Sequence, residues 1–322
     1  MKKIVRVTAL SIPIFILVVY LLKERTPFGG KNTSFAVDPG KEITRIEISD
    51  NAKNLLLEKR GEDWIVNKKY ETRKSSILFI MKILTEMEIK SPVTPELFKK
   101  EISDKGIKPV RVKVSAKGRT IRSFFVYKTV SNSYGNIMKL REGSKPFIVY
   151  VPGNDVEIGS AFTMNELFWQ PYTVFSLLPS EIYSVTLENF SDTAYSFKIK
   201  NENRVLSLTG ISEKLTGWDT SRVVRYITYF THVPFESWAF NIPVAEKEKI
   251  KNEKPLYRIT VMSSAGDKKV LTLWERTLVQ NGTEEKDTDR LWAKTDRNDE
   301  IFIIRYTDID PLLKKRSYFF PV

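Results

Sequence analysis

Two stretches of this sequence run through the same series of patterns, and that repetition limits the fold more than any other feature. The first opens as EITRIEIS, with Ile43, Ile46 and Ile48 in its apolar places, and passes through LLLEKRGEDWIVN to SSILFIMKILTEMEI. The second opens as EIYSVTLEN, with Ile182, Val185 and Leu187 in those places, and passes through YSFKIKNENRVLSLTG to DTSRVVRYITYFTHV. Alternating apolar residues mark strands half-buried on one face, and apolar residues returning every three or four positions mark an amphipathic helix. In the first helix Ile77, Ile80, Met81, Leu84 and Met87 share a face; in the second Val223, Ile227, Phe230 and Val233 do. Asp219 or Thr220 is the expected N-cap of the second helix, and Thr72 or Ser75 that of the first. Polar turns fall at Arg60-Gly61-Glu62 and at Asn201-Glu202-Asn203.

The segments C-terminal to the two helices are also alike. IKPVRVKVSAKGRTIRSFFVYKTV leads into NIMKLREGSKPFIVYVPG, and EKPLYRITVMSSAGDKKVLTLWERTL leads into RLWAKTDRNDEIFIIRYTDI. Each reads as a meander of short strands with a glycine turn, Lys117-Gly118 or Ala265-Gly266. Glu42 and Glu181 are offset by 139 positions, and Pro109 and Pro255 by 146. The expected fold is α+β: two tandem similar halves of antiparallel strands, one packed amphipathic helix each plus a strand meander, preceded by one transmembrane helix. The halves are expected at residues 41–178 and 179–322, with chance likeness between β-rich segments as the competing explanation.

The transmembrane expectation rests on residues 1–25. Lys2, Lys3 and Arg6 precede an uncharged run of sixteen residues, Val7 to Leu22, which Lys23, Glu24 and Arg25 close. At 1.5 Å per residue such a run makes roughly 24 Å of helix, short of the ~30 Å hydrocarbon core unless Ile4, Val5 and the stems of flanking cations extend it. The membrane contact is therefore placed at residues 4–22. A cleaved signal peptide has the same basic and apolar parts, but KERTPFGG after Leu22 has no small-x-small cleavage site, which favours an uncleaved signal anchor. Cations ahead of a leader leave the C-terminal bulk translocated, so the body is expected to be periplasmic or otherwise outside a bacterial cytoplasmic membrane. Residues 26–40, TPFGGKNTSFAVDPG, read as a tether.

Composition excludes several functions. The chain has no cysteine, which removes disulfides, thiolate metal sites, cysteine nucleophiles and a lipid-modified cysteine. His232 is the single histidine and reads as a packing or capping residue at the end of YITYFTHV. Two carboxylate pairs, Asp287 with Asp289 and Asp308 with Asp310, have the residue type for a hard cation or for hydrolysis. The first is expected to be solvated in a polar turn, and the second to cap a C-terminal turn before Pro311. There is no glycine-rich phosphate loop, no G-x-S-x-G elbow and no HExxH helix. No metal, cofactor or enzymatic activity is expected. Glycosylation patterns occur at Asn32, Asn189 and Asn281, but a three-residue pattern is weak and a bacterial origin would make it idle.

The formal net charge is +13; residues 1–25 supply +4 and the remainder +9. That basic balance suits an anionic ligand or simply a solvated surface, and its spread behind a membrane anchor argues against nucleic acid. Two aromatic clusters stand out as candidate interaction residues: Trp169 and Tyr172 in LFWQPYTVF, and Phe235 and Trp238 in PFESWAF. Aromatic residues rank high among binding hot spots, while packing within the core or between modules is their commoner role.

ITRIEIS, LLLEKRGEDWIVN, the SPV after a helix, DKGIKPVRVKV and LFWQPYTVFSLLPSEI together resemble the uncharacterised bacterial envelope family catalogued as domain of unknown function 4340. The resemblance covers most of residues 41–190, and its most telling pieces are Trp64-Ile65-Val66-Asn67 and Phe175-Ser176-Leu177 leading to Ser180-Glu181-Ile182. It implies an envelope protein with one N-terminal anchor, and an accessory role beside ABC transporter components of the gliding-motility type. The expected function is thus a membrane-anchored scaffold or accessory subunit whose partners are envelope membrane proteins, ABC transporter subunits among them. A binding module for an anionic lipid or glycan is the alternative.

Overall fold

The computed structural model describes residues 34–129, 136–153, 158–202, 205–211, 213–280 and 283–321. The chain divides into two compact units, Met1–Pro171 and Tyr172–Val322. The expected anchor, residues 1–25, and residues 26–33 of the expected tether lie outside the described residues. Among the described residues no helix is long and apolar enough to cross a membrane.

The first unit is built from strands β1 (Arg45–Ser49), β2 (Asn54–Arg60), β3 (Asp63–Val66) and β4 (Tyr70–Glu71), then helix α1 (Lys74–Glu86), β5 (Glu88–Pro92) and a short helix α2 (Pro95–Phe98). It continues with β6 (Val110–Ala116), β7 (Arg119–Tyr127), β8 (Asn136–Lys139), β9 (Phe147–Tyr150) and the one-turn helix α3 (Glu166–Trp169). All nine strands form one sheet in the order β4-β3-β2-β1-β6-β7-β8-β9-β5. Its pairings are antiparallel throughout. The period of two that read as strands in the sequence sends Ile46, Ile48, Leu55, Leu57, Val112, Val114, Phe124 and Val126 to one buried face. Over that face α1 lays Ile77, Ile80, Ile83 and Leu84, each gaining about 1.5–3 kcal/mol by leaving water. Alternate residues of β7 point the other way, so Tyr127 joins Ile137, Ile148, Val93 and Ile102 in a smaller cluster with Phe98 of α2.

The second unit comprises β10 (Thr173–Phe175), β11 (Ile182–Asn189), β12 (Phe197–Glu202), β13 (Val205–Thr209), helix α4 (Thr220–Thr228), β14 (Val233–Pro234), β15 (Ser237–Trp238) and helix α5 (Val244–Asn252). After these come β16 (Tyr257–Ser263), β17 (Lys268–Trp274), β18 (Thr277–Gln280), β19 (Thr283–Lys286), β20 (Arg290–Thr295), β21 (Phe302–Arg305) and helix α6 (Tyr306–Ile309). Eight of the strands form an antiparallel sheet ordered β13-β12-β11-β16-β17-β20-β21-β15, while β10 pairs with β14 and β18 with β19. Val223, Tyr226, Ile227 and Phe230 of the α4 segment pack on one face with Leu271, Leu273, Leu291 and Phe302. Ile250 of α5 joins Trp274, Trp292 and Ile301 in a smaller cluster of its own. The structure is α+β, mostly antiparallel sheet.

With β4 set aside, the strand orders of the two sheets correspond place for place. Each unit makes a three-strand meander, a helix over the main core and a strand at the far edge. A second helix and a final four-strand meander, which starts beside the first strand, complete it. The Lys117-Gly118 turn has both residues in the left-handed region, φ 47° and 76°, as a two-residue hairpin between twisted strands requires.

Several expectations are corrected. The tether reading fails for residues 34–40: Phe35 and Val37 are 1% and 2% exposed in the first core, and the Val37 amide donates to the Leu84 carbonyl at 2.7 Å. The glycine, proline, serine and threonine around them disguised two apolar residues spaced to face one side. Residues 172–178, expected in the first half, open the second unit in the same manner: Phe175 is buried and the Leu177 amide donates to the Phe230 carbonyl at 3.0 Å. TSFAVDP and TVFSLLP, residues 33–39 and 173–179, are thus counterparts, a stretch of the repeat that composition hid. Neither Thr72 nor Ser75 caps α1, whose N-cap is Arg73 with no side-chain bond. The Thr72 hydroxyl is spent on the Trp64 carbonyl at 3.0 Å. Asp219 does cap α4, accepting from the Ser221 amide at 2.8 Å.

Candidate functional site

Trp169 separates from the other three aromatic candidates. It is 0% exposed in the first core, its indole N–H donates to the Thr163 carbonyl at 3.1 Å, and Phe168 meets it edge-on. A residue so enclosed holds its unit together and presents nothing outward. Tyr172, Phe235 and Trp238 come together in the second unit. The Phe235 amide donates to the Tyr172 carbonyl at 3.0 Å, which stacks the two rings at 4.9 Å. Trp238 meets Phe235 at 4.9 Å and Tyr172 at 6.5 Å, with Phe302 beneath and Phe240 stacked on Trp238 at 5.9 Å. Phe235 and Phe302 are buried, while Tyr172 and Trp238 are half-buried. Edge-on and offset ring pairs of this kind add attraction beyond burial. Between Phe235 and Trp238, Glu236 accepts from the guanidinium Nε of Arg290 at 2.8 Å and of Arg305 at 2.9 Å. The Arg290 hydrogen bond and then that of Arg305 hold its carboxyl below the usual carboxylate range, against the opposing pull of burial.

The other face of the first sheet carries a depression of about 480 Å³ lined by polar side chains of the β1, β2 and β6 region. Arg45 and Lys113 both reach Glu47 at 3.3 Å, and Lys59 reaches Glu42 at 2.7 Å. The register produces this: Glu47 lies opposite Lys113, and Arg45 opposite Glu58. Cross-strand pairs of opposite sign stabilise a sheet modestly, and here they also neutralise each other. Hydrogen bonding to Lys59 lowers the pKa of Glu42, and that bond raises the pKa of Lys59. The depression is polar, with its cations Arg45, Lys59 and Lys113 already engaged by carboxylates.

The carboxylate pairs do not gather into metal sites. Asp287, expected to be solvated, is buried at 3% exposure. One of its oxygens accepts from Arg276, and the other from the amides of Asp289 and Arg290 at 2.9 and 3.1 Å. Arg276 in turn lies over the Trp292 ring at 4.9 Å. This pair clamps the base of the β18–β19 hairpin, and a polar sequence around it gave no sign of burial. Asp289 is exposed. Asp310 sits where α6 passes into a tight turn and pairs with Lys314 at 3.1 Å. Among the described residues no three acidic or histidine side chains are grouped to hold a metal. His232 is exposed and closes the turn Tyr229–Thr231, so it has no packing role. Asn189 uses its side-chain oxygen on the amides of Ser191 and Asp192, both at 3.0 Å, within a turn.

Two cations on the core-facing rows escaped sequence reasoning. Lys269 of β17 shares its row with Leu271 and Leu273, lies opposite Val261, donates to the Val174 carbonyl and sits 5.5 Å from the Phe175 ring. Burial, with a smaller repulsion from Arg297, pushes its pKa down to about 8. Arg122 of β7 lies opposite Val114 in the row of Phe124 and Val126. The signal was present: KKVLTLW and TIRSFFVY each carry a charge at the start of an apolar row. No family model, no curated protein and no solved structure matches this chain.

Proposed function

We propose that this protein is a membrane-anchored, extracytoplasmic accessory or scaffold subunit of an envelope complex, with ABC transporter subunits of the gliding type among its partners. The anchor is residues 4–22, and the body lies on the outer side of the bacterial cytoplasmic membrane. The resemblance to the domain of unknown function 4340 family supports the setting. The body arose by duplication of one strand-helix-meander module, for which the matched strand orders and the TSFAVDP and TVFSLLP segments are the support.

One observation carries the scaffold reading. Leu78 on α1 is 70% exposed and Val224 on α4 is 47% exposed, each directly after the first buried aliphatic residue of its helix, Ile77 or Val223. A single exposed apolar residue is ordinary, but here the same outward position recurs on the corresponding helix of both units, and that recurrence supports reading it as a point of contact. The half-buried Tyr172 and Trp238 add a third patch, fixed in orientation by the ring stack beneath. Full-length tagged protein extracted in mild detergent should retain a reproducible envelope companion, and L78D combined with V224D should lose it while still unfolding cooperatively. Recovery of a lone monomer from the unmutated protein refutes the reading. A module for an anionic envelope ligand is the second reading, and the cation on the core row of the first unit favours it.

A further inference from the structure

We propose that Arg122 binds a phosphate oxyanion at the margin of the first unit's core. Arg122 and Lys269 occupy the same cell of the two corresponding units: each is the second strand's residue opposite a buried valine, Val114 or Val261, and each precedes two buried residues in its row. The leading segments correspond as well. Phe175 lies beside Lys269, and its counterpart Phe35 packs edge-on against Phe124, two residues from Arg122, at 6.1 Å.

The two cations nevertheless meet different conditions. Lys269 has an acceptor, the Val174 carbonyl, and a lysine in an apolar place also has the choice of losing its proton. An arginine has no such choice, because its guanidinium stays charged at any ordinary pH. Arg122 is partly buried, and its Nε is closed to water without any hydrogen-bond acceptor among the described residues. Among the described residues the other two such atoms differ in kind: Arg276 already has its charge met by Asp287, and Thr129 is neutral. No ion pair joins Arg122 to any described carboxylate. A buried donor left unmade carries the full cost of its desolvation, and such groups are rare enough in native structures that each calls for a partner. The planar fork of a guanidinium fits a tetrahedral oxyanion through two parallel hydrogen bonds, and an oxyanion that draws the side chain outward neutralises the charge and gives Nε an acceptor together.

The shared chemistry is a phosphate, free or in a lipid head group. The site stands apart from the scaffold reading, since complex formation and oxyanion binding can fail separately. The test uses the full-length protein in neutral detergent micelles and monitors its thermal midpoint. One arm adds inorganic phosphate at ionic strength held constant with chloride; the other adds phosphatidylglycerol to the micelles. A saturable rise in at least one arm is expected, with the apparent affinity falling roughly tenfold or more in Arg122→Gln. Arg122→Lys should retain part of the response, and Lys269→Met all of it. A rise with phosphate alone identifies a free oxyanion as ligand, and a rise with the lipid alone identifies a head group. No rise in either arm, or an undiminished rise in Arg122→Gln, overturns the proposal. If Arg122→Gln does not fold, the Nε–H resonance of Arg122 in the unmutated protein replaces it: a saturable shift during the titration supports the site, and a stationary signal overturns it.

Discussion

Replacing Lys269 with methionine should make the second unit more stable near neutral pH, although it removes a hydrogen bond. The folded protein holds this amine at a pKa of about 8, against 10.5 for the free side chain. A difference of about 2.5 units corresponds to roughly 3 kcal/mol of unfavourable energy whenever the folded amine is charged. Between those two values the unfolded chain binds more protons than the folded one, so stability rises with pH across that interval. The penalty is complete below the folded pKa and vanishes above the unfolded one. Methionine removes it at every pH and keeps a comparable apolar stem beside Phe175. Against this stands the Val174 carbonyl, which loses its donor at a cost of about 1–2 kcal/mol. The desolvation effect is the larger, so a net gain of about 1–2 kcal/mol is expected near pH 7. Urea unfolding of the full-length protein in mild detergent, monitored by tryptophan fluorescence from about pH 7 to pH 10, measures both parts. The variant should start higher and lose most of the rise seen in the parent. Equal or lower stability near pH 7 with an unchanged rise would refute the assignment of Lys269 as a charge held on the core row.

Removing the carboxylate in Asp287→Ala leaves Arg276 unpaired against Trp292 and should cost about 3–5 kcal/mol, visible as a lowered urea midpoint. Asp219→Ala removes the cap of α4 and should cost about 1 kcal/mol by the same measurement, whereas Ser75→Ala on α1 should be nearly neutral because that residue caps nothing. Glu236 has a folded pKa below its unfolded value, so its contribution is complete above the unfolded pKa and is lost as pH falls through the folded one. Stability of Glu236→Gln should therefore fall less steeply than the parent's on the acid side, and parallel acid limbs in denaturation curves would contradict that role.

The local elements were readable along the chain, because local pattern is what the backbone obeys first. Ile46 and Ile48 in one segment, and Val223 and Ile227 in another, carry the periods of strand and helix whatever lies around them. The repeat was legible for the same reason, since two segments with one pattern of apolar residues bury themselves in one way. The boundaries were less legible. Phe35 and Val37 lie among residues that elsewhere make linkers, and only distant partners, Phe124 and Phe147 for the one and Leu84 for the other, make them part of a core. Tertiary structure alone decided which polar residues are enclosed. Asp287 reads as a solvated turn residue until Arg276, held over Trp292, pairs with it, and the choice between a core and a binding role for Trp169 stays open until the first unit folds around it. Tyr172 and Phe235 are 63 positions apart and share no local signal, yet one amide-to-carbonyl bond sets their rings face to face. Arg122 and Lys269 gave only a charge at the head of an apolar row. Whether such a charge is solvated, met by a carbonyl or left without an acceptor depends on which distant segment passes over it, and sequence periodicity does not carry that information.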